Sequence, residues 1–253
     1  MKWYSNKIYI IHPKLRCLLP EQFRNFILDS KVQATGFKAA CGYRERLLSC
    51  HRTIEGKVRD VSEIVKSEST RPILGGVIQK IEIAFGIRSV LELGTSLGVG
   101  TMYMATAAPD VRVTTIDCNS RLLDFTTARF KETGVKNVEF VCDRIEDWMA
   151  GFVEGKIDSK FDLVFVDGDH RGEAMLRQFE LITGKLVGER YIIVFDDINY
   201  NKDMFTAWRH ISNMCTDSLR INLFRWGMIF HGYELPKREM YARIKLGHPR
   251  EFV

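Results

Sequence analysis

The sequence predicts an α/β protein: a doubly wound, seven-stranded and mostly parallel sheet with an antiparallel last strand, preceded by a helical N-terminal extension. Three observations predict it. From residue 89 onward, short β-branched runs alternate with helical runs, the pattern of parallel strands joined by crossover helices. Five such units end in two apolar runs around Trp226-Gly227, which read as a closing hairpin. A glycine-rich turn follows the first strand, and an aspartate follows or ends each of the next four. Sheets of this kind bind ligands at those carboxyl ends.

The elements follow in order. Pro20 to Ser30 sets Phe23, Phe26 and Ile27 on one helical face, and Phe37 to Cys50 reads as a second helix. Val61 to Ser67 is a short helix, and Pro72 to Phe85 is a longer one stopped by Gly86. Residues 1–70 are read as the extension and 71–253 as the sheet domain. Ser89 to Leu93 is the first strand, and its helix runs from Gly98 to Ala108, closed by Pro109-Asp110. Val111 to Ile116 is the second strand, with a helix from Ser120 to near Gly134. Asn137 to Cys142 and a short helix at Ile145 to Phe152 form the third unit. Phe161 to Val166 is the fourth strand; its helix, Glu173 to Leu186, aligns Met175, Phe179, Ile182 and Leu186. Tyr191 to Phe195 is the fifth, followed by a helix aligning Met204, Trp208 and Ile211. Leu219 to Phe224 and Met228 to His231 complete the hairpin.

Bulk properties exclude several classes. The 253 residues, 45% of them hydrophobic, suffice for one or two domains. The net charge of +5 is spread along the chain. The densest basic run, Tyr43-Arg44-Glu45-Arg46, is interrupted by Glu45, so a nucleic-acid partner is disfavoured. None of the six cysteines forms a CxxC pair, which removes zinc-ribbon and thioredoxin readings. Cys118 and Cys142 are expected to be small buried hydrophobes. The apolar run Ile8 to Ile11 is too short for a signal-peptide core. No run approaches the ~20 apolar residues of a membrane helix, and a cytoplasmic protein with reduced thiols is expected.

Chemistry concentrates at the strand ends. Val90-Leu91-Glu92-Leu93-Gly94-Thr95-Ser96-Leu97-Gly98-Val99-Gly100 has glycines spaced GxxxGxG, with an acid two residues before the first. Gly94 permits a tight turn and close backbone approach to a ligand. Asp117 ends the second strand, where a carboxylate can accept both hydroxyls of a ribose. Cys142-Asp143-Arg144 ends the third strand, where an adenine edge would lie, and Asp167 ends the fourth. Any of these acids alone could be a helix N-cap; four signals in order at one sheet edge are harder to explain that way.

Residues 89 to 233 resemble class I S-adenosylmethionine-dependent methyltransferases. ELGTSLGVGT resembles their glycine-rich first motif and VTTIDCN their acidic second-strand motif. Val166-Asp167-Gly168-Asp169-His170 and Phe195-Asp196-Asp197 resemble the group that includes catechol and macrolide-sugar O-methyltransferases. The tail Leu223 to Phe230 is similar to uncharacterised bacterial methyltransferases of that type. The resemblance implies a Rossmann-like sheet, S-adenosylmethionine as cofactor and O-methylation of a small-molecule acceptor. The implied cofactor residues are Glu92, Gly94, Thr95, Ser96, Gly98, Asp117, Cys118, Asp143, Arg144 and Asp167. Residues 1–70 would shape the acceptor pocket or mediate a homodimer.

Two residues compete as general base. His170 lies three positions past Asp167, where catechol-type enzymes hold a lysine, and a histidine can serve at neutral pH. Asp169 is the rival, since the sugar-methylating relatives carry an acid there. Asp167, Asp196 and Asp197 end neighbouring strands about 4.8 Å apart. Converging carboxylates share protons, spread apart or bind a cation, and oxygen ligands favour Mg²⁺, Ca²⁺ or Mn²⁺. The resemblance implies a divalent metal there. The alternative is that one acid caps the helix near Asn201 and Asp167 contacts the cofactor. Two other functions stay open: a nicotinamide-dependent oxidoreductase, disfavoured by the glycine spacing, and a cofactor-binding module without catalysis. Trp208, Trp226 and Met102 to Met104 are assigned to the core.

Overall fold

A computed structural model describes residues 8–10, 34–54, 59–153 and 160–244. The helix expected at Pro20 to Ser30 lies outside them. Among the described residues three helices precede the main run of strands: α1 (Phe37–Leu48), α2 (Val61–Glu68) and α3 (Pro72–Phe85). Asp60 and Glu63 cap α2 reciprocally, and Pro72 opens α3, whose last turn closes on Gly86 at φ +64°.

The strands are β1 (Ile8–Ile10), β2 (Ser89–Leu93), β3 (Arg112–Asp117), β4 (Val138–Cys142), β5 (Phe161–Val166), β6 (Val187–Phe195), β7 (Leu219–Asn222), β8 (Gly227–His231) and β9 (Glu239–Ile244). The crossover helices are α4 (Val99–Ala105), α5 (Ser120–Thr133), α6 (Ile145–Val153), α7 (Gly172–Leu181) and α8 (Lys202–Met214). The sheet order is β1-β9-β7-β8-β6-β5-β2-β3-β4. β2 to β6 are parallel, and β8 enters antiparallel between β6 and β7. The first parallel pairs flank β2 on both sides, so the strand order reverses there and a crevice opens at its carboxyl end.

Both faces of the sheet are buried, as the continuous apolar strands require. Val90, Leu163 and Ile192 pack on one side with α1 to α4. Leu91, Val164 and Ile193 pack on the other with α7 and α8. Ala40, Tyr43, Leu47, Ile64 and Val65 share the first layer with Leu74 and Ile78. The boundary drawn at residue 70 therefore falls inside one hydrophobic layer. Trp208, Trp226, Met102 and Met104 are core residues.

Several details depart from the sequence reading. Among the described residues the sheet has nine strands rather than seven, because β9 runs parallel beside β7 and β1 pairs with β9. α4 stops at Ala105 rather than Ala108: the Thr106 hydroxyl donates back to Met102 O at 2.6 Å, a local bond that competes with the helix. α7 stops at Leu181, and a π-helical turn, Ile182–Leu186, carries the apolar spacing into β6, which starts at Val187 instead of Tyr191. Cys118 and Cys142 are exposed, not buried. One follows β3 and the other ends the edge strand β4. Among the described residues no helix is long and apolar enough to cross a membrane.

Candidate functional site

The turn after β2 is fixed by close approach. Gly94 has φ +106°, and a Cβ there would stand 2.4 Å from the Asp167 carbonyl oxygen. Its N–H donates to Ile116 O at 2.9 Å, binding the turn to β3. Gly98, at φ +70°, starts α4 and leaves room for Phe130 and Thr126. Ser96 between them has φ +47°, a conformation uncommon outside glycine. That conformation coincides with a bond: the Ser96 N–H donates to Asp117 Oδ2 at 2.9 Å, and the Asn119 N–H donates to Oδ1 at 2.9 Å.

Glu92 sits under the turn, 2% exposed. Its Oε2 accepts from Thr101 at 2.5 Å and from Thr115 at 2.6 Å. Thr115 spends its proton there, so Thr95 donates to Thr115 across their 2.6 Å contact. Burial pushes the Glu92 carboxyl up to about 7 despite the two hydroxyl donors, and Asp117 adds to the rise. Gly100 makes this possible, since a Cβ there would lie 2.7 Å from Oε1.

Acids gather where β5 and β6 end. Asp196 is buried and receives a two-point fork from Arg225, Nε to Oδ1 at 2.7 Å and Nη2 to Oδ2 at 2.6 Å. Asp197 follows at φ +52°, tolerable for an aspartate, and lies 3.3 Å from Arg225 Nε. His170 Nε2 stands 3.8 Å from Asp167 Oδ1 and 3.6 Å from Asp197 Oδ2. Burial, then the Asp196 carboxylate, raises the Asp167 pKa well above the carboxylate range, against the pull of Arg225. Asp197 is raised for the same reasons. Asp169 moves the other way: its oxygens accept from the Arg171 backbone N–H and guanidinium, which lowers its pKa. That makes Asp169 a weaker base than an ordinary carboxylate.

A cavity of about 380 Å³ joins these groups, within the range of small-ligand sites. Of the residues expected from sequence, it is lined by Glu92, Gly94, Thr95, Ser96, Asp117, Asp167, His170 and Asp197. Gly98, Cys118, Asp143, Arg144, Asp169 and Asp196 are not among its lining residues. Asp143 is exposed and accepts from the Arg144 N–H, while the Arg144 side chain pairs with Asp147 at 3.5 Å. The sequence reading missed Arg225, Tyr200, Ile64 of α2, and Ser69 and Thr70 just after that helix, all of which line the cavity. Tyr200 stands 5.4 Å from the His170 ring.

The acids do not fit a divalent metal as they stand. Both Asp196 oxygens are committed to Arg225, and Asp197 faces Arg225 and His170. Asn201, not an aspartate, caps α8. Among the described residues no group of three or more His, Cys, Asp or Glu side chains is arranged to hold a metal ion.

Residues 91–198 match a family described as a methyltransferase domain. A protein of Mycobacterium leprae, named as a candidate O-methyltransferase, is 26% identical over 119 residues, 46% of this chain and 51% of its own length. One of Mycobacterium marinum is 27% identical over 136 residues, 50% of this chain and 59% of its own length. The chain thus spans little more than half the length of these relatives. The O-methyltransferase of Bacillus cereus in complex with S-adenosylhomocysteine has a similar fold, with TM-score 0.56, 16% identity, and coverage of 83% of this chain and 94% of that one. A methyltransferase of Podospora anserina, also bound to S-adenosylhomocysteine, gives TM-score 0.59 at 14% identity, covering 78% and 88%. The chain has the class I methyltransferase fold, and its residues 91–198 carry the methyltransferase-domain match.

Proposed function

We propose that this protein is an S-adenosylmethionine-dependent methyltransferase acting on a hydroxyl of a small-molecule acceptor. The observation that carries the reading is one cavity at the strand ends that joins the Gly94 turn, Asp117 and His170. Asp117 has used one lone pair of each oxygen on a backbone N–H, which leaves two for ribose hydroxyls. S-adenosylmethionine would supply a sulfonium methyl, already a strong electrophile. The chain's own task is then to align the acceptor and take its proton. We read His170, which lines the cavity 3.8 Å from Asp167 Oδ1 and 3.6 Å from Asp197 Oδ2, as the group that accepts that proton.

We read the N-terminal helices as the cover of this site, since Ile64, Val65, Ser69 and Thr70 line the cavity. A divalent cation is not part of the reading while Arg225 holds Asp196. Calorimetric titration with S-adenosylhomocysteine and with NAD tests the proposal. One-to-one binding of the first alone supports it; binding of NAD alone favours the oxidoreductase.

A further inference from the structure

We propose that Arg225 is the resident cation of the acceptor site: its guanidinium occupies the place a divalent ion would need beside Asp196 and Asp197, and a free N–H holds the acceptor's hydroxyl oxygen. The inference rests on the hydroxyl-methylating reading and adds a metal-independent acceptor site to it.

The fork on Asp196 is bidentate, the strong form of a charge-assisted pair. The Asp196 side chain is 2% exposed, so Arg225 is the counter-ion that water cannot replace. The same guanidinium reaches Asp197 at 3.3 Å. A divalent ion ligated by these oxygens would stand against a fixed positive charge. Arg225 nevertheless keeps 27% of its side chain exposed and lines the cavity with His170. Its Nη1 has no hydrogen-bond partner among the described residues.

The backbone is shaped to deliver this side chain. Phe224 adopts φ +70°, an outlier for a bulky residue. Asn222 Oδ1 accepts its N–H at 2.9 Å, and the Asn199 side chain donates to its carbonyl. Arg225 donates its N–H to Leu223 O at 2.9 Å and accepts from Ile198 at 3.1 Å. Strain at one residue thus coincides with a pinned neighbour that enters the site. In the reaction the acceptor oxygen forms the new O–C bond. The S–C bond breaks with its electron pair left on sulfur, and the hydroxyl proton goes to His170. A guanidinium N–H would steady the oxygen as that proton leaves.

Mn²⁺ titration followed by electron paramagnetic resonance tests this on the full chain saturated with S-adenosylhomocysteine. Wild type is expected to leave the free-ion signal unattenuated. Arg225→Met is expected to bind one Mn²⁺ per chain and to lose it when Asp196→Asn is added. Saturable Mn²⁺ binding to wild type that Asp196→Asn abolishes would overturn the proposal, as would a folded Arg225→Met that binds none. If Arg225→Met does not fold, the wild-type titration decides alone by the same two results. Failure of wild type to bind S-adenosylhomocysteine would instead remove the cofactor reading, a separate result.

Discussion

The Ser96 N–H donates to Asp117 Oδ2 at 2.9 Å, and this one bond ties the glycine turn after β2 to the acid that ends β3. It needs Ser96 at positive φ, between two glycines at positive φ. The turn and the acid are therefore one unit, and disturbing either should move both.

Gly94→Ala tests the close approach. The new Cβ would meet backbone, the Asp167 carbonyl at 2.4 Å, which cannot step aside as a flexible side chain can. Gly134 also has positive φ but open space around its Cβ site, so Gly134→Ala carries only the left-handed strain, roughly 1–2 kcal/mol. Gly94→Ala should cost more than Gly134→Ala in urea unfolding and should abolish S-adenosylhomocysteine binding. Equal costs for the two would show that the contact yields easily.

The strand-end acids and the glycine turn were legible in sequence because both are local: each lies within a few residues of a strand end. Arg225 was not. Its position depends on β8 pairing with β6, with Gly227 opposite Phe195, which brings the hairpin loop beside Asp196. The hairpin was visible in the pattern, but its register was not. The α2 face was hidden for a similar reason: periodicity shows a helix, not the strand ends over which it packs. β9 escaped because its run, Glu239 to Ile244, mixes charged and apolar residues without clean alternation.

The buried Glu92 predicts a pH dependence of stability. Its folded carboxyl is raised to about 7 from 4.5. A raised acid contributes stability in full below the unfolded value, and that contribution is lost as pH climbs through the folded one. Wild type should therefore weaken between about pH 4.5 and 7, with about 3 kcal/mol at stake from this group. Glu82, buried beside it and raised well above its ordinary value, extends the decline upward. Glu92→Gln should flatten the lower part of the curve. Urea unfolding across this range checks it, and a slope unchanged by the substitution would contradict it.

The two candidate bases separate by mutation. His170→Gln should lower the rate of methyl transfer by about 10²-fold or more while S-adenosylhomocysteine binding persists. Asp169→Asn should have a small effect, because that carboxylate is already spent on Arg171. Single-turnover assays with radiolabelled donor and a panel of hydroxyl acceptors measure both. The reverse order of effects would move the base to Asp169.

If the cavity binds the cofactor with its ribose on Asp117, removing that carboxylate weakens binding. The most direct measurement is calorimetric titration of S-adenosylhomocysteine into wild type and Asp117→Ala, with thermal melts to confirm folding. Losing a charge-assisted acceptor typically costs ~1–3 kcal/mol. Affinity in the variant should be weaker by roughly tenfold or more; unchanged affinity in a folded Asp117→Ala protein would take the ribose off Asp117.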